Sequence, residues 1–165
     1  MEFKLNKTDR LITNAASKDT SRPPLHCVQV RKGLIEAANG YILAQRKIDY
    51  DGDNILLDID SIARHKDCRS LGGVVYSPNG EDIRALGEDE YIIKPQTMEF
   101  PNIDELYPKG EPVFKIALGR DQLLNMLKCL DKYENTIKFT FYSKTQPVKI
   151  ETDDVKGLIM PIDMG

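Results

Sequence analysis

The sequence predicts an α+β fold assembled from repeated βαβββ units. Short apolar runs with strand-like alternation recur along the chain, and the segments between some of them have helical spacing instead. Tight-turn dipeptides separate several runs, among them Lys32-Gly33 and Asn39-Gly40. We count two good copies of the unit and one weaker copy, which share a pattern rather than a sequence.

The first unit covers residues 1–50. EFKL at residues 2–5 predicts a short strand, and Asn6 is the expected N-cap of a helix that ends within SKDTSRPP, because proline cannot continue a helix. The runs LHCVQV, GLIEAANG and YILAQRKI then predict three strands. The helical residues expected to face inward are Leu11, Ile12, Ala15 and Ala16.

The other two units follow the same order. Residues 54–95 read as NILLDI, a short helix in DSIARHK, and then GGVVYS, EDIRAL and EYIIKP. The last third begins with a predicted strand, PVFKIAL at 112–118, and continues with a helix, GRDQLLNMLKCLDKY. NTIKFTFY, PVKIET and GLIMPI predict its remaining strands. The expected apolar face of that helix consists of Leu123, Leu124, Met126, Leu127 and Leu130.

Composition narrows the class of protein. A chain of 165 residues with 41% hydrophobic and 30% charged residues is globular and makes one domain, or one and a half small ones. The net charge of −3 means that any contact with nucleic acid needs a local basic patch. No apolar run is long enough to span a membrane, and MEFKLNKTDR is no signal segment, so we expect a cytoplasmic protein. Cys27, Cys68 and Cys129 fit free thiols.

Metal and catalytic motifs are weak. Asp49, Asp51 and Asp53 alternate as at the start of a calcium loop, but the positions that require glycine and glutamate hold Asn54 and Asp60. An Asp-Gly hairpin turn explains these residues better. A metal-dependent enzyme that uses this acidic cluster is the weaker alternative.

A zinc site is also disfavoured. His26, Cys27, His65 and Cys68 lack the paired spacing of zinc ligands. No nucleophile elbow or phosphate-binding loop is present. The sequence therefore predicts a protein without metal, cofactor or catalytic residues.

Basic residues lie on the first and last predicted helices. A solvated polar face is the default explanation of such residues. The alternative is that both helices contact a phosphate backbone, which would make binding salt-dependent and independent of base sequence. The candidate DNA-binding residues are Lys7, Arg10, Lys18, Arg22, Arg120, Lys128 and Lys132.

Three stretches in order resemble the bacterial replicative sliding clamps, the DNA polymerase III beta subunit family. SKDTSRPPLHCVQVRKGLIEAANGYILA at 17–44 resembles the start of the middle domain of that family. FPNIDELYP at 100–108 resembles the linker that leaves this domain, and PVKIETDDVKGLIMPI at 147–162 resembles the C-terminus. The resemblance implies a DNA-clamp (processivity-fold) type of α+β structure, with antiparallel sheets outside and helices on one face.

The same resemblance implies a binding site. In the clamps these regions converge on an apolar pocket that captures short peptide motifs of polymerases, clamp loaders and repair proteins. Carried over by motif, the pocket residues here are Leu25, Gly40, Tyr41, Leu43, Pro101, Leu106, Pro147, Leu158, Ile159, Met160, Pro161 and Ile162. GLIMPI could instead be the last core strand, with Leu158 and Met160 buried, or alternate residues could serve core and pocket.

The chain is shorter than a three-domain clamp subunit, and two arrangements stay open. Residues 1–108 form a clamp-type domain and 112–165 a half-domain, or 1–50 and 112–165 pair as one domain with 51–111 inserted. A half-domain would need a partner to cover its sheet edge, so we predict a homo-oligomer. The expected function is that of a sliding-clamp-like replication or repair accessory protein that binds peptide motifs and duplex DNA. A clamp-like adaptor or decoy that does not encircle DNA is the alternative.

Overall fold

The computed structural model describes residues 1–130 and 136–163. The chain divides into two compact units, Met1–Tyr107 (unit 1) and Pro108–Gly165 (unit 2). Within the described residues, every helix is too short or too polar to cross a membrane.

Unit 1 contains two modules with the same element order, a strand, a helical segment and three further strands. Module 1 comprises β1 (Phe3–Leu5), a 3-10 helix (Asp9–Ala15), a 3-10 turn (Pro23–His26), β2 (Cys27–Arg31), β3 (Leu34–Ala38) and β4 (Leu43–Lys47). Module 2 comprises β5 (Ile55–Asp58), α1 (Ile59–Ala63), β6 (Val74–Asn79), β7 (Asp82–Leu86) and β8 (Glu90–Ile93). A 3-10 turn at Ile103–Glu105 follows. The strands predicted for both modules are confirmed.

Each module of unit 1 contributes its first strand to the sheet of the other. β1 pairs with β6, so that one sheet has the order β1-β6-β7-β8. β5 pairs with β2, so that the other has the order β4-β3-β2-β5. All of these pairs are antiparallel. The two modules therefore share one core, which includes the fully buried side chains of Leu5, Val28, Val30, Ile35, Leu57, Ile62, Val74 and Tyr76.

The first helix begins later than predicted, at Asp9 with Thr8 rather than Asn6 as its N-cap, and it has a different geometry. The Asn6 side-chain oxygen accepts hydrogen bonds from the backbone N–H groups of Thr8 (2.8 Å) and Asp9 (3.0 Å), and the Asp9 carboxylate accepts one from the Asn6 N–H (3.0 Å). The helix is 3-10 and ends at Ala15. With three residues per turn, Ile12 and Ala15 share the buried face. The expectation that Leu11 faces inward is wrong, because this geometry turns it towards solvent.

Unit 2 contains a single module of the same order. Its elements are β9 (Ala117–Leu118), α2 (Arg120–Lys128), β10 (Lys138–Thr140), β11 (Val148–Glu151), β12 (Lys156–Ile159) and β13 (Pro161–Ile162). β10, β11 and β12 form one antiparallel sheet, and β13 pairs with β9. Val148, Ile150 and Ile159 are its buried strand side chains.

Three predictions for unit 2 are corrected by the structure. The strand expected at 112–118 is limited to Ala117–Leu118. The helix ends at Lys128, and no α2 residue is buried, although an apolar face was expected. The last part of that predicted helix, residues 131–133, lies outside the described residues. GLIMPI is divided at Met160, so that β12 pairs with β11 while the Pro161–Ile162 segment pairs with β9.

Candidate functional site

Six of the predicted pocket residues lie in unit 1, and two of these share a groove. Leu25, in the 3-10 turn that precedes β2, and Pro101, after β8, line a shallow groove of about 480 Å³. Arg22 and Asn102 contribute polar groups to its rim. The proline pair at residues 23 and 24 sets the turn that brings Leu25 to this position.

An apolar cluster supports that groove from below. Leu25 and Leu43 are half-buried and pack against a buried cluster that includes Phe100, Cys27, Leu56 and Ile103. Phe100 stands at the start of FPNIDELYP, but the sequence comparison did not select it as a site residue. The sequence feature that could have identified Phe100 is an apolar ring next to a proline at the start of a polar linker.

The remaining residues predicted for this part of the pocket are exposed and lie outside the groove. Gly40 occupies the Asn39-Gly40 turn with φ of +92°, a conformation that favours glycine. Tyr41 and Leu106 both project into solvent. The structure therefore brings together Leu25 and Pro101, with Leu43 in the underlying cluster.

A polar network holds the linker that carries Leu106 onto the sheet. Arg31 donates to Asp104 (2.8 Å) and to buried Glu36 (3.0 Å). Gln45 donates to the other oxygen of Glu36 (2.7 Å) and accepts from the Tyr107 hydroxyl (2.9 Å). These bonds tie both ends of residues 104–107 to β2, β3 and β4.

Alternate residues of the final strands in unit 2 face opposite environments. Ile159 is 5% exposed and lies opposite Val148 in the core, whereas Leu158 and Met160 are 66% and 63% exposed. Strand geometry explains this alternation, because successive side chains point to opposite faces. A large apolar side chain that remains exposed on each side of a buried one forms a surface suited to an apolar ligand.

Unit 2 also contains a groove of about 670 Å³, which is lined in part by the residues that follow Met160. Pro161 and Ile162 form one wall, and the segment from Pro112 to Ala117 forms another. Phe114 supplies an aromatic ring, which packs edge-to-face on Phe141 at 5.6 Å between centroids. Pro147 is half-buried next to the core residue Val148. Val113 and Phe114 were not predicted as site residues, although PVFKIAL carries them in its apolar run.

The predicted DNA-binding residues differ in their surroundings. Lys7, Lys18, Arg22 and Lys128 are exposed. Arg10 is mostly buried, forms an ion pair with Asp67 at 2.5 Å and donates to the backbone carbonyl of His65. Arg120 is exposed and paired with Asp121 at 2.5 Å. Lys132 lies outside the described residues.

One grouping of metal-ligand atoms occurs within the described residues, and it differs from both sets considered in the sequence. His26 Nε2 lies 3.7 Å from a carboxylate oxygen of Asp58 and 3.6 Å from one of Asp60. Asp58 is the N-cap of α1, where it accepts from the N–H groups of Asp60 and Ser61. Helix capping and the favourable interaction of Asp60 with the helix dipole explain both carboxylates.

The crossed βαβββ modules and their antiparallel sheets define the fold of a bacterial DNA sliding clamp. The chain is similar to the DNA polymerase sliding clamp of Bacillus subtilis, with a TM-score of 0.70 and 15% identity over 98% of this chain and 48% of that one. It is similar to a DnaN sliding clamp of Pseudomonas aeruginosa bound to griselimycin (TM-score 0.65, 16% identity, 99% of this chain and 51% of that one). The beta chain of Streptococcus pneumoniae DNA polymerase III gives a TM-score of 0.65 and 14% identity over 99% of this chain and 49% of that one.

The clamp-type α+β fold implied by the resemblance is thereby confirmed. The chain spans about half the length of these solved clamps. No protein-family model and no curated protein matches the sequence. At identities of 14–16%, the likeness establishes the fold.

Proposed function

We propose that this chain is a non-enzymatic, sliding-clamp-like accessory protein of DNA replication or repair in the cytoplasm. It binds short linear peptide motifs of polymerases, clamp loaders or repair proteins. The observation that carries this proposal is the exposure of Leu158 and Met160 on either side of buried Ile159, in a chain with the clamp fold. The griselimycin complex of the Pseudomonas aeruginosa clamp supports ligand binding by a protein of this fold.

The apolar surfaces can supply affinity of the expected size. Burying one leucine- or phenylalanine-sized side chain contributes about 1.5–3 kcal/mol. Two such anchors, less the cost of ordering the peptide, would give micromolar-class binding. An extended peptide would also gain backbone hydrogen bonds where it runs beside a strand.

A fluorescent peptide of the QL(S/D)LF kind tests the proposal by titration. We expect saturable binding that weakens at least tenfold in Leu158→Ala and Met160→Ala, because each change removes apolar contact area from the surface. Both side chains are largely exposed, so neither change should unfold the protein. Ile92→Ala, which alters an equally exposed apolar residue of β8 in unit 1, is the matched control.

Two results would refute the peptide site. One is the absence of binding at high micromolar peptide. The other is binding that survives the double change Leu158→Ala with Met160→Ala. A scrambled peptide of the same composition measures the background from nonspecific apolar association.

Duplex DNA binding is the second part of the proposal. The exposed residues Lys7, Lys18, Arg22 and Lys128 would contact phosphates, with an affinity that falls as salt increases. The double variant Lys18→Glu with Arg22→Glu should weaken a gel shift with long duplex DNA. Lys94→Glu, at an exposed position after β8, is the control.

A clamp-like adaptor or decoy that binds partners without encircling DNA is the second candidate. It is favoured by the ion pairs of Arg10 with Asp67 and Arg120 with Asp121, which balance two of the predicted DNA-binding charges. Peptide binding without a salt-sensitive DNA shift would select this function, and both activities together would select the first.

A further inference from the structure

Unit 2 has the element order of one module, and its first strand can be aligned with that of module 2. Asp58, the last residue of β5, is the N-cap of α1, and Gly119, directly after β9, is the N-cap of α2. Counting back from these caps places Ala117 at the position of Leu56. The two residues also have equivalent partners, since Leu56 bridges to Gln96 after β8, and Ala117 pairs with Ile162 after β12.

The alignment identifies a strand edge that unit 1 covers and unit 2 leaves uncovered. In unit 1, β5 lies between Gln96 on one side and β2 of module 1 on the other. In unit 2, β9 has β13 on the first side, and within the described residues no strand pairs with its second side. β9 thus exposes the edge that β5 gives to the other module.

The strand that would receive such an edge is also uncovered. In unit 1, the strands after the helices, β2 and β6, receive β5 and β1 respectively. The equivalent strand of unit 2 is β10, which forms one edge of its sheet among the described residues. An uncovered strand edge is a template for pairing with another chain.

The apolar side chains in and beside β10 are also more exposed than those of the equivalent strands in unit 1. Val30 in β2 and Tyr76 in β6 are fully buried, whereas Phe139 and the adjoining Phe141 are 39% and 41% exposed. On α2, Leu124 and Leu127 remain partly exposed as well. An aromatic pair and a helix face left open beside an unpaired edge are surfaces that a second module would bury.

We infer that unit 2 pairs with unit 2 of a second copy of this chain, each copy adding its β9 to the β10 edge of the other. One copy carries both the donor and the acceptor, so a twofold arrangement satisfies both edges at once. Unit 1 demonstrates that two modules of this kind pack by exchanging first strands. Residues 108–165 contain nine basic and eight acidic side chains, so two copies meet without strong charge repulsion.

The resulting assembly is a homodimer in which the two copies of unit 2 together form a domain like unit 1. Each completed sheet has the order β12-β11-β10 followed by β9 and β13 of the second copy. Ile116 and Leu118 take the positions of Ile55 and Leu57, whose side chains are buried in unit 1. This pairing does not depend on peptide or DNA binding, so it is tested separately from the proposed function.

Light scattering of the full chain measures the assembly directly. We expect a molar mass of twice 18.7 kDa at high protein concentration and dissociation on dilution. Phe139→Lys on the acceptor strand and Ile116→Asp on the donor segment should each raise the dimer dissociation constant at least tenfold. Ile92→Lys is the control, because it places a charge on β8, an edge strand of unit 1 with an exposed apolar residue.

Hydrogen exchange of the unmutated chain gives a second measurement that does not depend on the stability of a variant. Dilution should increase exchange in residues 116–118 and 138–140 and leave β2 and β6 unchanged. A wild-type mass of 18.7 kDa at every concentration would overturn the inference. A dimer that both substitutions leave intact, or one without dilution-dependent exchange in these two strands, would overturn it equally.

Discussion

The helices of unit 1 and unit 2 occupy the same place in their modules but differ in what they bury. In unit 1, the 3-10 helix buries Ile12 and Ala15, and the five-residue α1 buries Ile62. In unit 2, the nine-residue α2 has an amphipathic sequence and no buried residue. The apolar face of a helix therefore indicates that its module needs a packing partner. A second module has to bury that face.

The largest expected difference between the units is in the cost of removing a core leucine. Leu57→Ala in β5 should lower the free energy of unfolding by about 3 kcal/mol, because the side chain is fully buried and a cavity remains. Leu127→Ala in α2 should cost less than about 1 kcal/mol, because this leucine is partly exposed. Urea unfolding at low protein concentration compares the two variants. Equal losses would contradict the difference in packing.

A smaller effect is expected for ion pairs. Arg31→Ala should destabilise unit 1 by about 2 kcal/mol, because it leaves the carboxylate of fully buried Glu36 without its charged hydrogen-bond donor. Lys149→Ala, which removes the Lys149–Glu151 pair in unit 2, should change stability little because water screens that pair. Thermal unfolding measures both, and Arg31→Lys tests whether charge alone is sufficient.

We expect a pH dependence of stability that arises in unit 1, at His65. Burial, together with the charges of Arg10 and Arg64, lowers the pKa of His65 below its usual value near 6.5. The unfolded chain binds a proton there before the folded chain does, so stability should decrease as the pH falls below about 6.5. Chemical unfolding at pH values between roughly 7.5 and 5 should show this decrease in the free energy of unfolding. The decrease should be smaller in His65→Gln. A decrease of the same size in the variant would assign the effect to other groups.

Thiol reactivity should give the smallest effect, without loss of structure. Burial and the Asp58 charge raise the pKa of the Cys27 thiol to about 11, whereas a hydrogen bond with the Ser70 hydroxyl lowers the pKa of Cys68. Alkylation at neutral pH should therefore modify Cys68 and exposed Cys129 and leave Cys27 unreacted. Peptide mass spectrometry identifies the modified residues. Rapid reaction of Cys27 would show that the apolar cluster next to the groove of Leu25 and Pro101 opens readily.

Local patterns predicted most of unit 1. The Lys32-Gly33 and Asn39-Gly40 turns place both glycines at positive φ, and β2, β3 and β4 follow around them. What the sequence could not reveal is the exchange of β1 and β5, because a strand pattern does not identify its partner. The 3-10 geometry after Asn6 was also hidden, since the spacing of Ile12 and Ala15 suits either type of helix.

In unit 2 the pattern overestimated the ordered elements. The alternation in PVFKIAL predicts a strand through Val113 and Phe114, but a strand forms only where the backbone has a partner, which β13 gives to Ala117 and Leu118 alone. For the candidate site, the resemblance selected Leu158 and Met160, which are exposed, and Ile159, which is buried. Motif matching gives the segment, and the strand register decides which side chains a ligand can reach.

The crossed pairing in unit 1 has a consequence for how the protein is made. Phe3 lies opposite Tyr76, so β1 of a nascent chain cannot take its final place until more than seventy further residues have been synthesised. Until then the apolar strands of module 1 lack the strands they pair with. They are exposed to chaperones or to association with neighbouring chains. We expect translation products that end before β6 to be aggregation-prone and soluble nascent chains to appear only after β6 has emerged.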